Sequence, residues 1–168
     1  WVKQRLAWQD VEGDGSGRYV WAGSDRLVKE AKEAGVNLVF RVDHPPAWAV
    51  PAQPDAAGRM LPVDVTAFGV FCQAMAERYI GQVRGYQVWN EPNLAREWNG
   101  LAPDPAAYVE LLKTCYIGIK TADPAAIVIS AGLAPTGSGL PDALPDVDYL
   151  AGMYEAGAAP YFDVLGLN

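Results

Sequence analysis

The sequence predicts an α/β fold built on a parallel sheet, because two patterns repeat along the chain. Short apolar segments typical of strands alternate with longer segments of helical periodicity. Three strand segments contain continuous apolar runs, which parallel strands show when helices cover both faces of their sheet. The five strand segments begin at residues 2, 37, 85, 126 and 162, a spacing that indicates a repeated strand–helix unit.

The elements follow one another in regular order. The predicted strands cover residues 2–8, 37–42, 85–90, 126–131 and 162–167. A first helix is predicted over 25–34 and ends at Gly35, and a second over 64–80. A third helix has Asp104 as its cap and Pro105 in its first position, and a fourth begins at Asp146 and ends near Gly157.

Two architectures can hold such a sheet. A doubly wound sheet needs a glycine-rich phosphate-binding turn between a strand and a helix. The glycine-rich segments 13–17 and 132–139 lack that context, since no helical pattern follows the first and the second contains prolines. Long loops follow several strands, whereas the links from helix to strand are short. This asymmetry favours a barrel whose functional face is built by the loops after its strands.

Composition narrows the class of protein. A length of 168 residues suits one domain, and 51% apolar with 20% charged residues is ordinary globular composition. The formal net charge is −7, and no Lys/Arg cluster is present, so nucleic acid is not an expected partner. Charges or prolines interrupt every apolar run before the length of about 18 residues that a membrane-spanning helix needs.

The two cysteines, Cys72 and Cys115, each lie on the apolar stripe of a predicted helix. With no histidine or second cysteine nearby, their spacing does not fit a metal site. We therefore predict buried free thiols. Two such cysteines neither require nor exclude an oxidising compartment.

The segment around Glu91 carries the strongest functional signal. The predicted strand 85–90 ends directly in Glu91, and Pro92 prevents it from continuing. Glu91 is therefore expected at the carboxyl end of a parallel strand, beside Asn90 and between Trp89 and Trp98. A carboxyl group can transfer a proton, an amide can bind a sugar hydroxyl, and an indole face can stack on a pyranose ring. The alternative is an ordinary loop carboxylate that caps the next segment.

The run Trp-Asn-Glu-Pro-Asn-Leu at 89–94, with Glu97 and Trp98 behind it, resembles the strand-4 signature of clan A glycoside hydrolases. It is most similar to the family 39 and family 5-like branches. Segments 8–12, 41–48 and 162–168 also take part in the resemblance, which thus spans nearly the whole chain. It implies a (β/α)₈ TIM barrel that cleaves O-glycosidic bonds of a poly- or oligosaccharide with retention, without a cofactor or metal. Glu91 would be the general acid/base, and Asn90 would contact the sugar 2-hydroxyl.

The resemblance also implies that residues 1–168 are part of a barrel. Matched onto the family, the five predicted strands are strands 2 to 6, so strand 1 and strands 7 and 8 lie outside this chain. The nucleophile, a Glu at the end of strand 7, lies outside with them. This chain alone is then expected to be inactive. The resemblance further implies an extracellular or cell-surface protein.

The other candidate sugar contacts are weaker. His44 is the only histidine and follows the second predicted strand, and Trp48 comes soon after it; each suits a structural role equally well. Trp89, Trp98 and Asn168 complete the set, with Asn168 standing where the family often has histidine. Two other functions stay open: a non-catalytic carbohydrate-binding or structural protein on a glycosidase barrel, and a transglycosidase.

Overall fold

The computed structural model describes residues 1–56 and 58–168. In these residues the chain forms one parallel sheet of four strands in the order β1-β2-β3-β4: Val2–Ala7, Leu38–Asp43, Gly85–Val88 and Ile127–Ile129. The helices between and after them are α1 to α5: Trp8–Glu12, Ala22–Glu33, Val65–Arg78, Pro105–Ala122 and Asp146–Glu155. Short 3₁₀ helices cover Ala47–Ala49, Ala95–Glu97 and Ala159–Tyr161. The predicted α/β class is confirmed.

The sheet has an apolar face and a polar face, because side chains alternate along each strand. Phe40, Tyr86 and Val128 are in register and fully buried. On the other face Arg5, Arg41 and Gln87 are in register, and the Nζ of Lys3 donates to Oε1 of Gln87 at 3.0 Å. The helices pack against the apolar face and form the core with it. In a barrel, the polar face would then line the interior.

The two longest helices, α3 and α4, each have an aspartate as their N-cap. Asp104 accepts hydrogen bonds from the N–H groups of Ala106 and Ala107, and Pro105 is the first residue of α4, as predicted. Asp64 caps α3 in the same way. Such a cap contributes about 1 kcal/mol to stability. None of the helices in the described part of the chain combines the length and hydropathy that a bilayer crossing requires.

Residues 162–167, which were predicted to form a strand, do not form a continuous one. Two isolated parallel bridges, Ile129↔Val164 and Leu133↔Leu167, hold this segment beside β4. The N–H of Gly166 donates to the side-chain hydroxyl of Ser130 instead of to a strand carbonyl, which interrupts the ladder. The third predicted strand also ends early, at Val88, because Trp89 takes a left-handed backbone conformation with φ of 72°.

The prediction of free thiols is wrong, since Cys72 and Cys115 form a disulfide between α3 and α4. Two glycines let these helices approach closely. A Cβ atom on Gly118 would lie 2.6 Å from the carbonyl oxygen of Gly69, and one on Gly69 would lie 3.1 Å from Thr114. This close crossing brings the cysteine Cα atoms to 5.2 Å, within the range of a disulfide.

Candidate active site

Glu91 follows β3 by three residues and lies at the carboxyl edge of the sheet. Its N–H donates to the carbonyl of Gly132, which comes after β4. The φ angle of Glu91 is 40°, and His44, which follows β2, has a φ of 54°. Left-handed conformations at residues other than glycine cost free energy and concentrate at functional sites. This edge of the sheet is therefore the candidate site.

The carboxylate of Glu91 is held by two side chains. Asn168 donates from Nδ2 to Oε1 at 3.2 Å, and Nη2 of Arg96 lies 3.4 Å from Oε2. The Glu91 side chain is 21% exposed, whereas that of Arg96 is 73% exposed. Asn168, which is also exposed, thus binds one carboxylate oxygen. The other oxygen contacts the largely exposed guanidinium of Arg96, which a ligand can displace.

A chain of polar contacts runs from Asn90 to His44. Nη1 of Arg41 donates to Oδ1 of Asn90 at 3.2 Å, and Nε of Arg41 lies 2.8 Å from Oδ2 of Asp43. Oδ1 of Asp43 in turn lies 2.7 Å from Nδ1 of His44. Because arginine only donates, the Asn90 oxygen faces it and the Asn90 amide N–H groups are left for a ligand.

A cavity of about 230 Å³, here called the polar cavity, lies beside these residues and is lined by Gln9, His44, Val50, Trp89, Arg96 and Glu97, among others. His44 presents Nε2 there, since its Nδ1 is taken by Asp43. The polar cavity therefore offers a donor or acceptor on several sides, which suits a ligand rich in hydroxyl groups.

Two of the predicted sugar-stacking residues are in the core instead. Trp98 is fully buried edge-to-face between Trp89 and Tyr108. Trp89 is also buried, and its Nε1 donates to the carbonyl of Glu97. It forms part of the wall of the polar cavity. Both indoles are buried among other aromatic rings, where large apolar side chains gain most from burial.

Trp48 keeps a partly exposed ring. Its Nε1 donates to the carbonyl of Glu12 at 2.7 Å, and its ring packs edge-to-face against buried Trp8. These contacts anchor Trp48 in the loop after β2, outside the lining of the polar cavity.

Tyr108 of α4 supports the strand ends beneath Glu91. Its hydroxyl donates to the carbonyl of Val88, the last residue of β3, and accepts from the N–H of Ala131. Complete burial raises the pKa of Tyr108 above its ordinary value. The hydroxyl therefore stays protonated and keeps both bonds over the working pH range of most proteins.

Asn93 joins the loop after β3 to the loop after β4. Its fully buried amide donates to the carbonyls of Ala134 and Leu144, and its oxygen accepts from the N–H of Ala134. An antiparallel bridge between Leu94 and Ala143 adds to this connection. Asn93 thus fixes the loop after β4 against the loop that carries Glu91.

Replacing Asn93 by Ala should lower the free energy of unfolding by about 2–4 kcal/mol, since two carbonyls and one N–H lose a buried partner. Urea unfolding of the protein with its complete barrel measures this. Asn37→Ala, a change at an exposed asparagine, is the control and should stay within about 0.5 kcal/mol of wild type. Equal unfolding free energies for the two variants would show that Asn93 does not hold the loops.

Comparison of the sequence with protein-family models and with curated proteins found no match. Comparison of the structure found glycosidases. A family 39 glycoside hydrolase from the gut symbiont Bacteroides cellulosilyticus WH2 superimposes with a TM-score of 0.72 and 21% identity over 98% of this chain and 31% of that chain. A glucosidase from Croceicoccus marinus gives a TM-score of 0.64 and 17% identity over 98% of this chain and 35% of that chain.

The catalytic domain of the family 30 xylanase C from Talaromyces cellulolyticus gives a TM-score of 0.61 and 17% identity over 97% of this chain and 42% of that chain. The chain thus spans between about a third and two fifths of the length of these structures. The predicted fold class is confirmed: the chain has the fold of part of a glycosidase (β/α)₈ barrel.

Proposed function

We propose that this chain is part of a retaining glycoside hydrolase in which Glu91 is the general acid/base. The observation that carries the proposal is a carboxylate bonded by Asn168 at the carboxyl end of a parallel strand, next to Asn90, whose amide oxygen accepts from Arg41 and whose amide N–H groups are left for a ligand. Carboxyl ends of barrel strands carry the catalytic groups of such barrels. The glycosidases that share the fold support this class of reaction. Poly- or oligosaccharides are the substrates that the sequence resemblance implies.

In the first step, the C1–O bond of the substrate breaks and its electron pair stays on the leaving oxygen, which takes the proton of Glu91. A second carboxylate bonds to C1 from the opposite side, and a covalent glycosyl-enzyme forms. Glu91, now ionised, then removes a proton from water as the water oxygen attacks C1 and releases the second carboxylate. Asn90, together with His44 in the polar cavity, binds sugar hydroxyls throughout.

The second carboxylate comes from the remainder of the barrel, about 5–5.5 Å from Glu91, the separation that gives retention. β1 pairs only with β2 among the described strands, so its outer edge is available for a further strand. The polar face with Arg5, Arg41 and Gln87 becomes the barrel interior. We expect residues 1–168 alone to be inactive, because the nucleophile of the proposed mechanism belongs to the remainder of the barrel.

We also propose that the protein works in an oxidising compartment, extracellular or at the cell surface. The buried disulfide between Cys72 and Cys115 supports this, since disulfides persist mainly in secreted and surface proteins.

The stereochemistry of hydrolysis tests the mechanism. The protein with its complete barrel is incubated with a panel of 4-nitrophenyl glycosides, and the product is followed by proton NMR from the first minutes. We expect the first anomer to have the configuration of the substrate. An inverted first product would rule out the double displacement. Binding of glycans with no hydrolysis of any glycoside would favour the carbohydrate-binding alternative, and transfer to an added alcohol in preference to water would favour a transglycosidase.

A further inference from the structure

A second cavity, of about 510 Å³, meets the polar cavity at Arg96. We call it the aliphatic cavity; its walls include Leu94, Ala134, Pro135, Leu140 and Pro141, with Arg96 at the shared boundary. The guanidinium of Arg96 also lies 3.4 Å from Oε2 of Glu91. Glu91 lines neither cavity itself, but this contact with Arg96 puts the proton-transferring carboxylate next to the boundary between them.

The walls of the aliphatic cavity are held by hydrogen bonds between the two loops that form it. Asn93 and the Leu94↔Ala143 bridge clamp the two loops that form it, and the N–H of Ala95 donates to the carbonyl of Asp142 at 2.8 Å. The hydroxyl of Thr136, another wall residue, donates to the carbonyl of Leu144. A cavity held in this way is pre-formed and loses little free energy to ordering when a ligand enters.

The two cavities differ in chemistry. The polar cavity contains Gln9, His44 and Glu97, whose side chains can bond sugar hydroxyls. Among the described residues that line the aliphatic cavity, none is aromatic, and Arg96 and Asp142 are the charged ones. A sugar bound there would find neither an aromatic face nor a ring of polar partners.

Asp43 and His44, which end the series of polar contacts that starts at Asn90, line the polar cavity, so the sugar ring that is cleaved belongs there. The group on the other side of the glycosidic oxygen then extends into the aliphatic cavity. We infer that this cavity binds the leaving group, and that the leaving group is an apolar alcohol, alkyl or aryl, rather than another sugar. The inference rests on the proposed function, and it replaces the poly- or oligosaccharide that the resemblance implies by a glycoside with an apolar aglycone.

A series of alkyl glycosides tests the inference in the protein with its complete barrel. The 4-nitrophenyl panel first identifies the sugar that is cleaved. The kcat/KM is then measured for the methyl, butyl and octyl glycosides of that sugar, below the micelle concentration, and for the matching disaccharide. We expect kcat/KM to rise by up to about fourfold for each methylene that becomes buried, chiefly through a lower KM. The disaccharide should be a poorer substrate than the octyl glycoside.

Leu140→Asn tests the aliphatic cavity by mutation, because Leu140 lines the cavity and is 52% exposed. Its replacement therefore leaves the core intact. It should lower the ratio of octyl to methyl kcat/KM by about tenfold. Val147→Asn, an equally polar change at a 72% exposed position on α5, should leave that ratio unchanged.

Hydrolysis with no dependence on alkyl length, or a preference for the disaccharide that Leu140→Asn does not alter, would overturn the assignment of the cavity and leave the role of Glu91 standing. If no glycoside of the panel is hydrolysed, the proposed function fails and the cavity assignment fails with it.

Discussion

Replacing Glu91 by Gln should reduce turnover of an unactivated glycoside by at least about 10²-fold, because general acid catalysis contributes about that much. Glutamine keeps the size of the side chain, and its oxygen can still accept from Nδ2 of Asn168. It cannot supply a proton to the leaving oxygen. The fold should be unaffected, since the bonds from Glu91 to Gly132 and Leu94 are made by its backbone.

The dependence on the leaving group identifies the step that is impaired. A 2,4-dinitrophenyl leaving group needs no proton, so its departure should slow far less than that of an alkyl alcohol. Glu155→Gln is the matched control, because Glu155 is an exposed carboxylate at the end of α5 that lines neither the polar nor the aliphatic cavity. It should retain turnover within about tenfold. Near-wild-type hydrolysis of alkyl glycosides by Glu91→Gln would remove Glu91 from the mechanism.

Loss of the Cys72–Cys115 disulfide should lower the free energy of unfolding by about 4 kcal/mol. The two cysteines are 43 residues apart, so the bond closes a long loop of the unfolded chain. That loop contains β3 and Glu91, and its closure removes many conformations from the unfolded state. Urea unfolding of the oxidised protein, and of protein that has been unfolded and refolded under reductant, measures the difference.

The double variant Cys72→Ala/Cys115→Ala separates the covalent bond from the packing of the sulfur atoms. Reductant should have no effect on this variant, whereas wild-type protein should lose its extra stability. The variant should be somewhat less stable than reduced wild type, because both cysteines are fully buried and alanine leaves a cavity. Coincident unfolding curves for oxidised and reduced wild type would show that the disulfide does not stabilise the fold.

The sequence was sufficient for the features that depend on local pattern. Continuous apolar runs located β2 and β4, and the Asp-Pro pair at 104–105 located the start of α4. Because parallel strands bring their carboxyl ends to one edge, the ends of two predicted strands were enough to place His44 and Glu91 on that edge. Strand lengths were less accurate, since the turn at Trp89 depends on a backbone conformation that no pattern indicated.

The features that the sequence could not provide arise from packing between distant elements. The disulfide depends on the crossing of α3 and α4 at Gly69 and Gly118. The burial of Trp98 depends on α4, which contributes Tyr108 to its surroundings. Asn168 reaches Glu91 across 77 residues of sequence, so a contact of this kind becomes visible only when the loops are placed in three dimensions.

The role of Glu91 is tested most directly by azide rescue of Glu91→Ala. Alanine removes the acid/base and opens space beside C1, and a 2,4-dinitrophenyl glycoside still forms the covalent intermediate because its leaving group needs no proton. Azide, an anion that needs no general base, should then attack from the face that Glu91 occupied. We expect azide to restore turnover and the product to be a glycosyl azide with the configuration of the substrate. Failure of azide to accelerate the variant, or a glycosyl azide of inverted configuration, would contradict Glu91 as the general acid/base of a retaining glycosidase.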